Sequence, residues 1–199
     1  MRKQTSDLHG NAPDKCPVAL LLVDVINDLE FPGNTEIVRR ARNLATRLYS
    51  LTQRARKARI SIVYVNDNFG KWRSDFHQQV QHCLADDVCG KPLAEKLRPL
   101  ADDYFVLKPK HSGFYSSALD LLLRHLGART LIITGIAGDR CVLFTANDAY
   151  LRDYKIFVPS DCVISNTAQQ NKEALNLMKR ALHADTRPST RIRFQTLLK

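Results

Sequence analysis

Three reactive side chains in this sequence stand where an apolar run ends. Asp24 closes "ALLLVD", Lys108 closes "YFVLK", and Cys141 follows the run Thr130 to Thr134 through the Gly-containing turn "TGIAGDRC". A carboxylate at the end of a buried run is costly unless it has a partner. A cysteine is a nucleophile as the thiolate, and its ordinary pKa is about 8.5. A helix N-terminus and a nearby ammonium both favour the thiolate. A carboxylate in reach can take the thiol proton. Backbone N–H groups at a strand–turn–helix junction can face a developing oxyanion. Acid, base and thiol together are the parts needed for acyl transfer through a thioester. Each also has a plainer reading. A lone cysteine in an apolar helix is usually core packing, Asp24 can cap a turn as Asn27 or Asp28 can, and Lys108 competes with Lys110. The coincidence of all three at strand ends favours the catalytic reading.

The elements that would position them alternate along the chain. Val18 to Val23, Ile60 to Val65, Tyr104 to Leu107, Thr130 to Thr134 and Lys155 to Val158 read as buried strands, rich in β-branched residues. Between them, helices are expected from Asn34 or Thr35 through Arg59, near Pro92 to Leu97, over Ser116 to Leu126 with a stop at Gly127, over Arg140 to Arg152, and over Thr167 to His183. Asn66 to Gly90 reads as polar and irregular, and it holds the single tryptophan, Trp72. Strands apolar on both faces, alternating with helices, imply a three-layer α/β/α fold with a mostly parallel, Rossmann-like sheet. In such folds ligands sit outside the carboxyl ends of the strands. Asp24, Lys108 and Cys141 all fall at that edge. Residues 1–16 read as an N-terminal arm, 17–185 as the catalytic domain, and 186–199 as a peripheral basic tail.

Composition narrows the function class. No apolar run approaches the ~20 residues of a membrane-spanning helix, and the polar start lacks a secretion signal. The five cysteines are odd in number and form no CxxC pair, which fits a reducing cytoplasm. The net charge of +10 invites a nucleic-acid reading. Much of that excess lies in Glu36 to Arg59, where Ile37, Ala41, Leu44, Leu48, Leu51 and Ala55 mark a buried helix face. The arginines then form a solvated face, and no RNA-binding or zinc-finger signature accompanies them.

Three stretches together resemble the isochorismatase-like cysteine hydrolases, a superfamily that includes nicotinamidases, N-carbamoylsarcosine amidases and ureidoacrylate amidohydrolases. They are "ALLLVDVINDLEF", "VLKPKHSGFYSSAL" and "TGIAGDRCVLFTANDAYLRDYKIFVPSDC", and the resemblance runs from about Pro17 to Met178. It implies Cys141 as nucleophile, Asp24 as the base that activates first the thiol and then water, and Lys108 as the group that orients Asp24. It also implies a cis peptide at Ile136–Ala137, with the N–H groups of Ala137 and Cys141 as the oxyanion hole. It implies a small-molecule amide, ureide or imide-like substrate, no cofactor, no membrane, and a homo-oligomer, dimer or tetramer. The sequence departs from nicotinamidases at "VYVNDNFGKW", which lacks their Asp-x-His metal pair, and His77 and His82 lie at a different spacing. No metal is expected. Leu29, Phe31, Asn66, Phe69, Trp72 and Phe114 are the candidate substrate wall, although Trp72 can equally anchor its loop. Two other readings remain. One is a vinyl-ether hydrolase of the isochorismatase type, which needs no thiol. The other is a non-catalytic binding protein that uses its basic surface. A redox-sensing thiol would need a resolving partner, for which Cys162 is the candidate.

Overall fold

The computed structural model describes residues 15–70 and 75–198. Six parallel strands form one sheet: β1 (Val18–Val23), β2 (Ser61–Asp67), β3 (Tyr104–Lys108), β4 (Thr130–Ile136), β5 (Lys155–Phe157) and β6 (Val163–Ile164). Their order is β3-β2-β1-β4-β5, with β6 also paired to β4. Every residue of β1 and β4 is buried, which is why β1 reads as an unbroken apolar run and β4 as a mostly apolar one.

Successive side chains of a strand point to opposite faces, and the core divides accordingly. Val18, Leu20 and Leu22 pack with α1 (Thr35–Lys57), α2 (Phe76–Ala85) and α3 (Lys91–Lys96). Ala19, Leu21 and Val23 pack with α4 (Leu119–Leu126), α5 (Leu143–Tyr150) and α6 (Ala168–Ala181). The result is the expected three-layer α/β/α arrangement.

Local chemistry sets the helix ends. Thr167 and Gln170 form a reciprocal capping box ahead of α6. Gly127 ends α4 in the left-handed conformation, φ 70°. Helix α4 begins at Leu119 rather than Ser116, because Ser116 has φ 47° and the Ser117 hydroxyl accepts the Leu119 N–H at 3.1 Å. The segment read as irregular, Asn66 to Gly90, contains α2. Its N-cap Asp75 accepts the Gln78 N–H at 2.8 Å. Phe76, Val80, Cys83 and Leu84 lie on one helical face, but Gln and His between them dilute the period.

The tail is not peripheral. Arg54 of α1 donates to the carbonyls of Ser189 and Ile192 at 2.9 and 2.5 Å, and its guanidinium lies over the Phe194 ring. Ile192 and Phe194 are buried, and a short α7 (Phe194–Leu197) follows. Among the described residues, no helix is long and apolar enough to cross a membrane.

Candidate active site

The strand order reverses between β1 and β4, and the two stretches read as reactive leave the sheet there: Asp24 from β1 and the turn to Cys141 from β4. Gly135 permits this approach. It has φ +111°, and a Cβ on it would stand 2.0 Å from the Val23 carbonyl oxygen. Asp24 itself has φ 49°, and its N–H donates to Val65 O at 3.0 Å, so the chain bends over the end of β2. There the Asp67 N–H donates to Asp24 Oδ1 at 2.6 Å.

Lys108 reaches the same point from the end of β3. Its side chain is fully buried, and Nζ lies 2.9 Å from Asp24 Oδ2, 3.1 Å from Asp67 Oδ2 and 3.5 Å from Cys141 Sγ. A buried ammonium persists only with such partners. The three side chains singled out in the sequence therefore meet around one nitrogen. Asp67 completes the cluster. In the sequence it is one polar residue among Asn66, Asp67 and Asn68, and only the pairing of Asp67 with Lys108 across β2 and β3 sets it apart.

The electrostatics are those of a resting thiol. Burial, then the Asp24 carboxylate, pushes the Cys141 thiol up to about 12, against the downward pull of Lys108. The influence expected from the lysine is present, and burial and the Asp24 charge oppose it. Burial also raises Asp24, outweighing the Lys108 charge and the hydrogen bond with Cys141. Burial alone would lower Lys108, but Asp24, Cys141 and Asp67 together hold it above its ordinary value. The cluster thus sets one ammonium, Lys108, between the Asp24 carboxyl and the Cys141 sulfur.

Cys141 does not sit in the first turn of an ordinary α-helix, as the sequence suggested. Gly138–Val142 is a π-type turn ahead of α5. The Ala137 carbonyl accepts from both Arg140 and Val142 at 3.1 Å. The Ile136–Ala137 peptide is cis. The turn is held from behind: the Asp139 N–H donates to Ser165 Oγ at 3.1 Å, and a Cβ on Gly138 would stand 2.5 Å from Asn171 Oδ1. Arg40 of the basic helix donates to Ser165 O at 2.7 Å. With Arg54 on the tail and Arg56 on Asp103 at 2.5 Å, several of the arginines that raise the net charge thus serve as internal struts.

On the outer side of the thiol stands His111, exposed, with Nδ1 3.7 Å from Sγ and its ring 5.6 Å from that of Phe144. Its loop is pinned to α5. Gly113 N–H donates to Thr145 Oγ1 at 2.9 Å, and Ser112 Oγ hydrogen-bonds Asp148.

A cleft of about 450 Å³ opens beside this edge, lined by Ile26, Phe31, Asn68, Phe69, Gln79 and His82 among others. Of the candidate wall residues, Phe31 and Phe69 line it. Leu29, Asn66 and Phe114 do not, and neither do Asp24, Lys108 and Cys141. Leu29 is buried in the core under α1. Asn66 is buried and donates to the Ile26 carbonyl at 2.5 Å, tying β2 to the loop after β1. Phe114 packs in the core of the other face, 6.1 Å from Tyr154 and under Arg152. Trp72 lies outside the described residues. His82 bonds Asp86 and Asp28 at 2.6 and 3.3 Å. Among the described residues, no group of three or more His, Cys, Asp and Glu side chains is gathered as a metal-binding cluster.

Residues 18–187 match the Isochorismatase domain. A curated protein of Bacillus subtilis (strain 168), named as the uncharacterized isochorismatase family protein YaaI, is 43% identical over 171 residues, 86% of this chain and 93% of that one. The ureidoacrylate amidohydrolase RutB of Methylorubrum extorquens (strain AM1) is 42% identical over 84 residues, 42% of this chain and 34% of that protein. The crystal structure of N-carbamoylsarcosine amidase from Thermoplasma acidophilum superposes with a TM-score of 0.70 at 26% identity, covering 88% of this chain and 98% of that one. The domain match takes in all three strand ends that converge on Lys108, and the chain belongs to the isochorismatase family of hydrolases.

Proposed function

We propose that this protein is a cysteine amidohydrolase that cleaves a C–N bond of a small amide or ureide through a thioester on Cys141. The observation that carries this reading is the position of Lys108 Nζ, buried between the Asp24 carboxylate at 2.9 Å and Cys141 Sγ at 3.5 Å. An ammonium so placed neutralises whichever partner is charged, so a proton can pass from sulfur to Asp24 at little electrostatic cost.

The cycle begins with the neutral thiol. Asp24 takes its proton as sulfur attacks the substrate carbonyl. The N–H groups of Ala137 and Cys141 face the oxyanion that forms. Asp24 then gives the proton to the leaving nitrogen, and the C–N bond breaks. Water hydrolyses the thioester and restores the thiol. The amidase and amidohydrolase names of two of the relatives support this class of substrate. The five free cysteines support work in a reducing cytoplasm. We further propose that the protein acts as a dimer or tetramer.

The test is a screen of ammonia release from small amides, N-carbamoyl amino acids and ureido acids, run on wild type, C141A, C83A and C89A. Expected is turnover that C141A loses by roughly 10³-fold or more, while the other two variants keep it. No ammonia from any of these, with pyruvate released from an enolpyruvyl ether at the same rate by wild type and C141A, would instead establish the vinyl-ether reading.

A further inference from the structure

We infer that His111 is a second acid–base residue of this site, the group that activates water for hydrolysis of the Cys141 thioester. The inference rests on the cysteine reading above and deepens it.

Asp24 and His111 both approach the thiol and differ in exposure. Asp24 is buried and engaged, with Oδ1 accepting the Asp67 N–H and Oδ2 paired to Lys108. His111 is exposed and presents Nδ1 to Sγ at 3.7 Å. Water that enters to cleave the thioester arrives from the His111 side. The acyl carbon would lie one bond beyond sulfur, so a water hydrogen-bonded to Nδ1 comes within attacking distance of it.

The placement of the ring is built rather than incidental. Ser112 is anchored on Asp148 and Gly113 on Thr145, so two successive residues clamp the loop onto α5, and the Phe114 N–H donates to Ser112 Oγ at 3.1 Å within the loop. The imidazole is then backed by Phe144, itself half exposed and on the same helix. Lys108 Nζ lies 3.5 Å from the same sulfur, and Lys110 is the neighbouring cation on the His111 loop.

The step balances as follows. Water oxygen bonds to the thioester carbon while neutral His111 takes one water proton. The tetrahedral intermediate collapses, the C–S bond breaks, and the electron pair leaves on sulfur. The imidazolium returns its proton to sulfur. Thioester and water become carboxylic acid and thiol, with no other reactant.

The experiment uses p-nitrophenyl acetate, which acylates a reactive thiol without needing the natural substrate. Nitrophenolate release is followed by absorbance and acetyl-Cys141 by peptide mass spectrometry, for wild type, H111F, H111Q and C141A. Expected in H111F is a burst of one nitrophenolate per chain, then turnover slowed by roughly 10²-fold, with acetyl-Cys141 accumulating. H111Q, which keeps a polar group of similar reach, behaves the same way, and added imidazole restores hydrolysis in both. Equal decay of acetyl-Cys141 in wild type and both histidine variants overturns the inference and leaves Cys141 as the nucleophile. Absence of acetyl-Cys141 in wild type and in both histidine variants, or an undiminished burst in C141A, overturns the nucleophile reading and this inference with it.

Discussion

The backbone N–H of Asp67 donates to the Asp24 carboxylate at 2.6 Å, while the Asp67 carboxylate holds the same lysine that Asp24 holds. One residue thus supports the proposed base twice, through its main chain and through its charge. The D67N variant removes only the second contribution. Its turnover should fall by roughly 10-fold, against roughly 10³-fold or more for D24N. Steady-state kcat on a substrate found in the screen measures both. Equal losses would make Asp67 a base in its own right.

Thiol reactivity should respond to Asp24 with a sign opposite to that of catalysis. The Asp24 charge raises the Cys141 thiol, and Lys108 lowers it. In D24N the first influence is gone and the second remains. Alkylation of Cys141 by iodoacetamide at about pH 8 should therefore be faster in D24N than in wild type, although turnover is lost. In wild type the rate should still be climbing at about pH 9, because the thiol is pushed up to about 12. Mass mapping of the labelled peptide across the pH series reads both effects. Slower labelling in D24N would mean that the carboxylate activates the thiol in the resting protein.

Charge reversal at Lys108 is unnecessary to test its role, since K108M keeps the length and removes the ammonium. Without it the Asp24 carboxylate stays buried with no cation, and the carboxyl rises further. Turnover should drop by roughly 10³-fold, and relative to wild type the protein should lose stability as the pH rises from about 4 to 8, because the unfolded acid ionises while the buried one holds its proton. Thermal unfolding of wild type and K108M across that range provides the comparison.

His82 gives a pH-dependent contribution at the cleft. Its hydrogen bonds to Asp86 and then Asp28 raise it above the ordinary 6.5. A histidine raised in the folded state stabilises fully below its unfolded pKa, and that contribution is lost as pH rises through the folded value. The ring is half exposed, so the effect is small. The Tm difference between wild type and H82Q should be larger at about pH 5.5 than at about pH 8.5. A constant difference would assign His82 a packing role alone.

The tail should matter to stability as core does. Phe194 is buried against α1 beneath Arg54. F194A should cost about 3 kcal/mol, the range for a buried Phe truncated to Ala. Urea unfolding at constant m-value measures it. A change within about 0.5 kcal/mol would mark the tail as loosely attached.

What the sequence determined by itself is what depends on period and position along the chain. Val18 to Val23 and Thr130 to Thr134 read as buried strands because their side chains are apolar or threonine, and burial on both faces demands that. Once the strands are parallel, Asp24, Lys108 and the turn before Cys141 fall at one edge by topology alone. What only the tertiary structure decided lies in side-chain reach and in weak local signals. Asp67 and His111 look like ordinary loop residues until β2 pairs with β3 and the loop after Lys108 is clamped to α5. Leu29 and Asn66 look like exposed loop residues until the loop after β1 folds inward and buries them. Helix α2 and the buried tail escape a periodic reading because glutamines and arginines interrupt their apolar spacing. The state of the Cys141 thiol is also beyond the sequence, because burial and the nearby Asp24 carboxylate, both properties of the folded site, set its proton affinity.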